Sequence, residues 1–176
     1  LARGDESFLF VGPTGVGKTI VVEGLLGHLV SETKKEIAKA GNKHSEVPKL
    51  HVVFADKTEL VNQLAGDIQK MPFASDVTVI RWGGINEDPT QPKTMEELVA
   101  FAKNSKKPVV VVTVDRTLTS RTGVNKTEDE ETDITKIKYD EDKLRLLRDA
   151  TRSIVIDEAH HAGAPQNIAL LDNLRG

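Results

Sequence analysis

Two short stretches of the sequence have the residue types and the spacing for phosphate chemistry. The first, at residues 12–19, fits the pattern G-x-x-x-x-G-K-[ST] of a phosphate-binding loop. Its glycines let backbone N–H groups converge on phosphate oxygens without a side-chain clash, and a following helix adds its positive N-terminal dipole. Lys18 can reach the β- and γ-phosphates of a nucleotide, and the Thr19 hydroxyl is a ligand for Mg²⁺. The alternative is a plain corner between a strand and a helix. The predicted phosphate contacts are Gly12, Pro13, Thr14, Gly15, Val16, Gly17, Lys18 and Thr19.

The second stretch follows the apolar run 154–156 and begins with two acids, Asp157 and Glu158. A phosphate-loop enzyme needs a carboxylate for Mg²⁺, usually acting through a water, from the strand beside the loop. It also needs a group that orients or deprotonates the attacking water. We assign the first role to Asp157 and the second to Glu158. Two alternatives are open: the acids merely end a strand, or they form a transition-metal site with His160 and His161, against which the phosphate loop argues.

The remaining pattern supplies the elements that must position these two stretches. Strands alternate with helices, and the apolar run 108–114 is continuous, as in strands that are buried on both faces of a parallel sheet. The fold class is therefore α/β, a three-layer α/β/α sandwich with a mainly parallel sheet, in which ligands bind at the carboxyl ends of the strands. The predicted strands are 8–11, 50–55, 77–81, 108–114 and 153–156, and the predicted helices are 17–40, 56–71, 94–104, 142–150 and 166–175.

Helix ends can be predicted as well. The first long helix should stop at Gly41-Asn42, and Asp56 or Thr58 should cap the second. Thr94, with Glu97 three residues later, has the spacing of a capping box.

Composition limits the class of protein. The 176 residues are enough for one domain with a core, and the net charge is −3. Residues 126–142 hold eight acids against three lysines, a local charge of −5, and the rest of the chain carries +2. We expect an acidic, solvated or mobile loop at about 122–141. There is no apolar run of 18 residues, and there is no cysteine, so we expect no membrane span and no disulfide; a cytoplasmic location fits.

Residues 157–160, Asp-Glu-Ala-His, together with residues 12–19 resemble the DEAD/DEAH-box helicases and translocases of superfamily 2. Within that superfamily, the chain looks closest to the branch of the restriction-enzyme Res subunits and related DNA translocases. Weaker matches lie between the two stretches in the expected order. Residues 57–63 look like motif Ia, Gly83-Gly84 resembles the glycine pair after it, and residues 113–118 are similar to the region of motif Ib. The resemblance spans about residues 8–162.

This resemblance implies a P-loop NTPase with a RecA-like fold, in which residues 1–176 are the first of two RecA-like domains of one longer chain. It implies ATP and Mg²⁺ as cofactors, with His160 coupling the ATP site to the nucleic-acid site. Nucleic acid is the implied partner, and DNA is favoured over RNA. The implied nucleic-acid contacts are Lys57, Thr58, Gly83, Gly84 and Arg116.

The chain departs from the family pattern at Asp56, where related proteins often have proline, and it shows no adenine-reading Q-motif before residue 8. In the family, ATP is hydrolysed between two domains, and arginine fingers come from the second. The isolated chain should therefore bind nucleotide weakly and hydrolyse it poorly.

Three function hypotheses remain. The leading one is a helicase or translocase motor domain; the others are a P-loop NTPase that never touches nucleic acid and a non-hydrolysing interaction domain. Single residues have alternatives too. Trp82 could stack on a base or pack in the core, Lys57 and Thr58 could simply start a solvated helix, and Arg116 and Arg121 could be solvated loop cations.

Overall fold

The computed structural model describes residues 7–9, 16–55, 57–83, 89–114, 117 and 141–156, and of these 7–9, 16–23, 141 and 156 by their backbone only. The predicted helix 166–175 and nearly all of the predicted acidic loop 122–141 lie outside the described residues. The described part contains five strands, four α-helices and two 3-10 helices, Gly41–Glu46 and Ala74–Asp76. The strands are β1 Ser7–Leu9, β2 Leu50–Phe54, β3 Thr78–Trp82, β4 Val109–Thr113 and β5 Thr151–Ile156, and the helices are α1 Val16–Ala40, α2 Thr58–Gln69, α3 Met95–Asn104 and α4 Glu141–Ala150.

The five strands form one sheet in the order β1-β5-β2-β4-β3, and every pair is parallel. Successive side chains of a strand point to opposite faces of a sheet, and both faces of this sheet are apolar. In β4, Val109 and Val111 pack with α3 and α4, whereas Val110 and Val112 pack with α1 and α2. The predicted three-layer α/β/α sandwich with a parallel sheet is confirmed.

Local sequence signals locate most element ends. α1 ends where Gly41 takes a positive φ of 55°, as its predicted stop requires. At α3, the Thr94 hydroxyl accepts a hydrogen bond from the Glu97 N–H at 3.2 Å, and the Glu97 carboxylate accepts one from the Lys93 N–H at 2.9 Å. The predicted cap is confirmed, although the returning bond reaches the residue before the cap.

Other boundaries differ from the prediction. Thr58 does not cap α2, because it is the first helical residue and Lys57 occupies the cap position without a side-chain hydrogen bond. α2 also ends two residues before the predicted end, at Gln69. β5 begins two residues earlier than predicted, because Thr151 pairs with Leu50 of β2, and tertiary pairing extends the strand beyond its apolar run.

The free edge of the sheet at β3 is covered by a side chain. The Gln91 amide accepts a hydrogen bond from the Arg81 N–H at 3.2 Å, and its Nε2 lies 3.4 Å from the Val79 carbonyl. Trp82 is wholly buried and donates its indole N–H to the Pro92 carbonyl at 3.0 Å. Base stacking by Trp82 is therefore wrong for this structure, and packing is confirmed. Gln91 thus satisfies backbone groups of an edge strand that would otherwise be unpaired.

A buried lysine joins two elements at the amino edge of the sheet. The Lys49 ammonium donates to the carbonyls of Lys103 at 2.9 Å and Ser105 at 2.7 Å, and it lies 3.1 Å from His44 Nδ1. Burial lowers the pKa of Lys49. Lys103 and Ser105 lie at the carboxyl end of α3, where a cation is favoured by the helix dipole. Lys49 therefore stabilises the junction of α3 with the start of β2.

A second polar group lies inside the layer between α1 and the sheet. The imidazole of His51 is buried, with Nε2 2.9 Å from Thr33 Oγ1 and Nδ1 2.6 Å from Ser153 Oγ. The Thr33 hydroxyl also donates to the Leu29 carbonyl at 2.8 Å, so its oxygen accepts from Nε2–H, and the Ser153 hydroxyl donates to Nδ1. Burial and then the charge of Arg152 lower the pKa of His51 to about 3. The imidazole is thus a neutral hydrogen-bonding link between α1, β2 and β5.

Candidate functional site

The carboxyl edge of the sheet carries the segments that the sequence assigns to chemistry. One row of paired residues crosses the sheet at this edge and consists of Leu9, Ile156, Phe54, Thr113 and Trp82. Leu9 pairs directly with Ile156, and neighbouring strands lie about 4.8 Å apart. Residues 10–15 and 157–160 therefore begin from adjacent positions at the same edge. The residues 12–15, 157, 158 and 160 themselves lie outside the described part of the chain.

The start of α1 has the features of a phosphate-binding helix. Six residues separate the end of β1 from Val16, where the helix begins, and these include Gly12 and Gly15, whereas Gly17 is the second residue of the helix. Val16, Gly17, Lys18 and Thr19 form the first turn, which contains no acidic residue, so no acidic side chain of that turn offsets the positive end of the 25-residue helix. Backbone position and charge both fit a phosphate group, while the side chains of Lys18 and Thr19 are not described.

The described residues hold no cluster of three acidic or histidine side chains that could bind a metal ion. The predicted ligands of Mg²⁺ are the Thr19 side chain and Asp157, and both lie outside that part of the chain. Their assignment therefore stays a prediction, which the pairing of β1 with β5 supports.

The predicted nucleic-acid contacts follow the other half of the same edge. Lys57 is exposed at the start of α2 and follows β2, and Gly83 follows β3. Arg116, two residues after the buried Val114 of the β4 exit, and Gly84 lie outside the described residues. Lys57 follows β2, which is one strand away from β5 and two away from β1, and Gly83 follows β3, which is three and four strands away. These separations correspond to about 5 to 19 Å across the sheet.

Thr113 lies inside the predicted strand 108–114 and begins the stretch that resembles the region of motif Ib, and in the structure it joins the exits of β2, β3 and β4. Its hydroxyl donates to the Trp82 carbonyl at 2.9 Å and lies 3.3 Å from the Val114 carbonyl. Its own carbonyl accepts from the Ala55 N–H at 2.8 Å. The residue is completely buried. The sequence contains a signal for this role, since Thr113 is a polar residue directly after four valines of a strand that is buried on both faces. A hydroxyl buried at such a position needs a hydrogen-bond partner.

Gly83 makes a second connection at this edge. Its φ of 80° lies in the left-handed region, which favours glycine. A Cβ at this position would lie 2.0 Å from Thr117 Oγ1 and 2.5 Å from Thr117 Cγ2. The Thr117 side chain therefore occupies the space that glycine leaves open, and the turn after β3 packs directly on the segment after β4.

None of the helices in the described part of the chain is long and apolar enough to cross a membrane.

The chain matches a known protein family. The family model of the type III restriction enzyme, res subunit, matches residues 1–175. Searches of curated proteins and of solved structures returned no significant match.

Proposed function

Because the chain belongs to the type III restriction enzyme res subunit family, a family of helicase-like ATPase motor domains with a RecA-like P-loop fold, we propose that it is the first motor domain of a nucleic-acid-dependent ATPase. Nucleic-acid binding and the use of ATP with Mg²⁺ are typical of the family. For this chain we propose DNA rather than RNA as the partner, and a second RecA-like domain in the same longer chain. The reaction is transfer of the γ-phosphoryl group of ATP to water, coupled to movement along the nucleic acid.

The observation that carries the proposal is the pairing of β1 with β5. Leu9 and Ile156 are paired neighbours, and the phosphate-loop pattern follows one of them while Asp157 and Glu158 follow the other. A hydrolytic site needs phosphate donors and carboxylates together at one place. Two unrelated turns would meet this requirement only if their strands were adjacent and parallel and ended at the same level, as these do.

The chain's own residues divide the chemistry between them. The backbone N–H groups within residues 12–19, where Pro13 has none, and the Lys18 ammonium hold the phosphate oxygens. The Thr19 hydroxyl and the Asp157 carboxylate, the latter usually through a water, would hold the cation. Mg²⁺, when bound, supplies positive charge that offsets the charge developing on the phosphoryl oxygens. The Glu158 carboxylate accepts the proton of the attacking water, and His160 links this site to the nucleic-acid side.

The nucleic acid would bind along the β2, β4 and β3 half of the edge, through Lys57, Thr58, Gly83, Gly84 and Arg116. The exposed Lys57 ammonium suits a phosphate contact that carries no sequence information, and Gly83, which is half-buried and packed against Thr117, offers only its backbone groups. Nucleotide and nucleic acid would thus bind to different strands of one rigid sheet, so that both can be bound at the same time.

The test is ATP turnover of the complete protein with and without DNA or RNA. We expect stimulation by DNA and about a 100-fold or greater loss of stimulated turnover in Lys18→Ala and Glu158→Gln. Lys18→Ala should also weaken nucleotide binding, whereas Glu158→Gln should keep it. The matched control is Lys35→Ala, because Lys35 is an exposed lysine of the same helix that pairs only with Glu32 among the described residues at 3.5 Å.

Each alternative gives a different result. Unchanged turnover in both variants refutes the assigned site. Turnover that depends on Lys18 and Glu158 but is unaffected by DNA or RNA indicates a P-loop NTPase of another kind. Nucleotide binding without any turnover in the complete protein indicates a non-hydrolysing interaction domain.

A further inference from the structure

We propose that Thr113 is a positioning residue for the nucleic-acid surface: its buried hydroxyl and carbonyl keep the exits of β2, β3 and β4 at one level, so that the contacts following these strands form a single surface. This inference rests on the proposed function. Thr113 touches no ligand in this scheme, and it acts through Trp82, Ala55 and the residues that follow them.

The three strand exits depend on one another through Thr113. β3 leaves the sheet at Trp82, whose carbonyl accepts the Thr113 hydroxyl at 2.9 Å. β2 leaves at Phe54, and the next residue, Ala55, donates its N–H to the Thr113 carbonyl at 2.8 Å. Lys57 lies two residues after Ala55, and Gly83 directly follows Trp82. One side chain and one carbonyl therefore set the relative height of both proposed contacts.

The hydroxyl, rather than the shape of the side chain, carries this function. Threonine and valine have almost the same shape, and the four preceding residues, Val109–Val112, are all buried valines. A fifth valine would fill the same space. Only the hydroxyl can donate to the Trp82 carbonyl, and without it the exit of β3 loses its hydrogen bond to the Thr113 side chain. β3 is an edge strand with a single neighbour, so it has no second strand to hold its end in place.

Thr117 strengthens the same arrangement. Its side chain fills the position of the missing Cβ of Gly83 and so joins the turn after β3 to the segment after β4. Arg116 precedes it in sequence. The link between β3 and β4 thus has two parts, a hydrogen bond at Thr113 and a packing contact at Thr117.

Distance separates this effect from nucleotide binding. β4 is two positions from β5 and three from β1, or about 10 and 14 Å across the sheet. Replacing the Thr113 hydroxyl should therefore change parameters that depend on nucleic acid and leave turnover without nucleic acid unchanged. Loss of stability alone would lower both together.

The experiment compares Thr113→Val with Thr33→Val in the complete protein. Thr33 is also a completely buried threonine with a hydrogen-bonded hydroxyl, but it belongs to α1 and contacts His51 of β2. The readouts are the DNA concentration for half-maximal stimulation of turnover, the affinity for a fluorescein-labelled oligonucleotide by anisotropy, and turnover without DNA. We expect Thr113→Val to weaken both DNA parameters about tenfold, the effect that one buried hydrogen bond has on an equilibrium.

In Thr33→Val we expect DNA parameters close to those of the parent. Thr113→Ser keeps the hydroxyl and should restore the parent affinity. Thr117→Ala removes the packing contact without changing a residue of a strand. We expect it to weaken DNA binding about threefold, less than the loss of the Thr113 hydrogen bond, because a few packing contacts contribute less. This variant also supplies the test if Thr113→Val does not fold.

The inference is overturned if Thr113→Val and Thr33→Val have the same DNA affinity, if Thr113→Val lowers turnover with and without DNA by one factor, or if Thr117→Ala binds DNA like the parent. These results differ from failure of the proposed function. In that case the parent itself would show no DNA or RNA stimulation, and its anisotropy would not change with added protein.

Discussion

Replacing His51 with asparagine removes a neutral imidazole from the interior and should change how stability depends on pH. His51 bridges Thr33 of α1 and Ser153 of β5 through its two ring nitrogens, at 2.9 and 2.6 Å. Burial and the neighbouring charge of Arg152, which is paired with Glu36 of α1, lower the pKa of His51 to about 3. An asparagine amide can keep the bond to Ser153 but has no group that titrates.

The sign follows from the two states. As the pH falls through 6.5, the ordinary pKa of histidine, the unfolded chain takes up a proton at His51 and the folded chain does not. The contribution of His51 to the free energy of unfolding is therefore complete above pH 6.5 and is lost progressively as the pH falls toward 3. One pH unit in this window corresponds to about 1.4 kcal/mol. Between pH 7.5 and pH 5.0, His51 should remove about 2 kcal/mol from the parent's stability.

The assay is urea unfolding of parent and variant at several values between pH 7.5 and 5.0. Fluorescence of Trp82 can report it, because it is the single tryptophan of the sequence and is completely buried. His51→Asn should be less stable at pH 7.5, because Thr33 loses a partner, but its stability should fall about 2 kcal/mol less by pH 5.0. The control is His28→Asn, an exposed histidine of α1, which should follow the parent. Equal losses in parent and His51→Asn would refute the buried neutral imidazole.

Two further predictions concern local stability. Lys49→Met should lower the free energy of unfolding by about 3 kcal/mol, because two carbonyls at the carboxyl end of α3 lose their charged donor; urea unfolding measures it, and an equal loss in the exposed-lysine variant Lys39→Met would contradict it. Gly83→Ala should lower the free energy of unfolding by about 3 kcal/mol, since the residue has a φ of 80° and a Cβ would collide with Thr117. Gly66→Ala is its control, because Gly66 lies inside α2, where a Cβ meets nothing within 4 Å. This change should raise the free energy of unfolding by about 0.5 to 1 kcal/mol. Equal thermal midpoints for the two alanine variants would refute the reasoning.

Within the described residues, local sequence signals were sufficient for the strands, for the α-helices and for the layers. The continuous valines of 109–112 predicted a strand buried on both faces, and the structure places alternate members on the two helical layers. Gly41 and Thr94 marked helix ends because their effect acts within a few residues along the chain. Boundaries set by pairing were missed. β5 extends to Thr151 because this residue pairs with Leu50 of β2, and the polar pair Thr151-Arg152 lies outside the apolar run from which the strand was predicted.

The interior polar residues were also missed, for a related reason. Neither Lys49 nor His51 has a spacing that suggests a role, and their partners are 54 and 102 residues away in sequence at Lys103 and Ser153. A buried polar side chain is tolerated only when its partners are present, and those partners are brought together by folding. The same holds for Thr113, whose bond to Trp82 spans 31 residues.

The sequence by itself determined the candidate chemistry: residues 12–19 have the glycines, lysine and threonine that a nucleotide phosphate requires, and Asp157 and Glu158 are the acids that would serve metal and water. Pattern and residue type are local properties of the sequence, so they can be recognised before the fold is known. Only the tertiary structure decided that β1 and β5 are paired neighbours, which brings the starts of the two segments together, and that Thr113 joins the exits of β2, β3 and β4. Strand order and the hydrogen bonds between strands depend on contacts distant in sequence, and those contacts exist only in the folded chain.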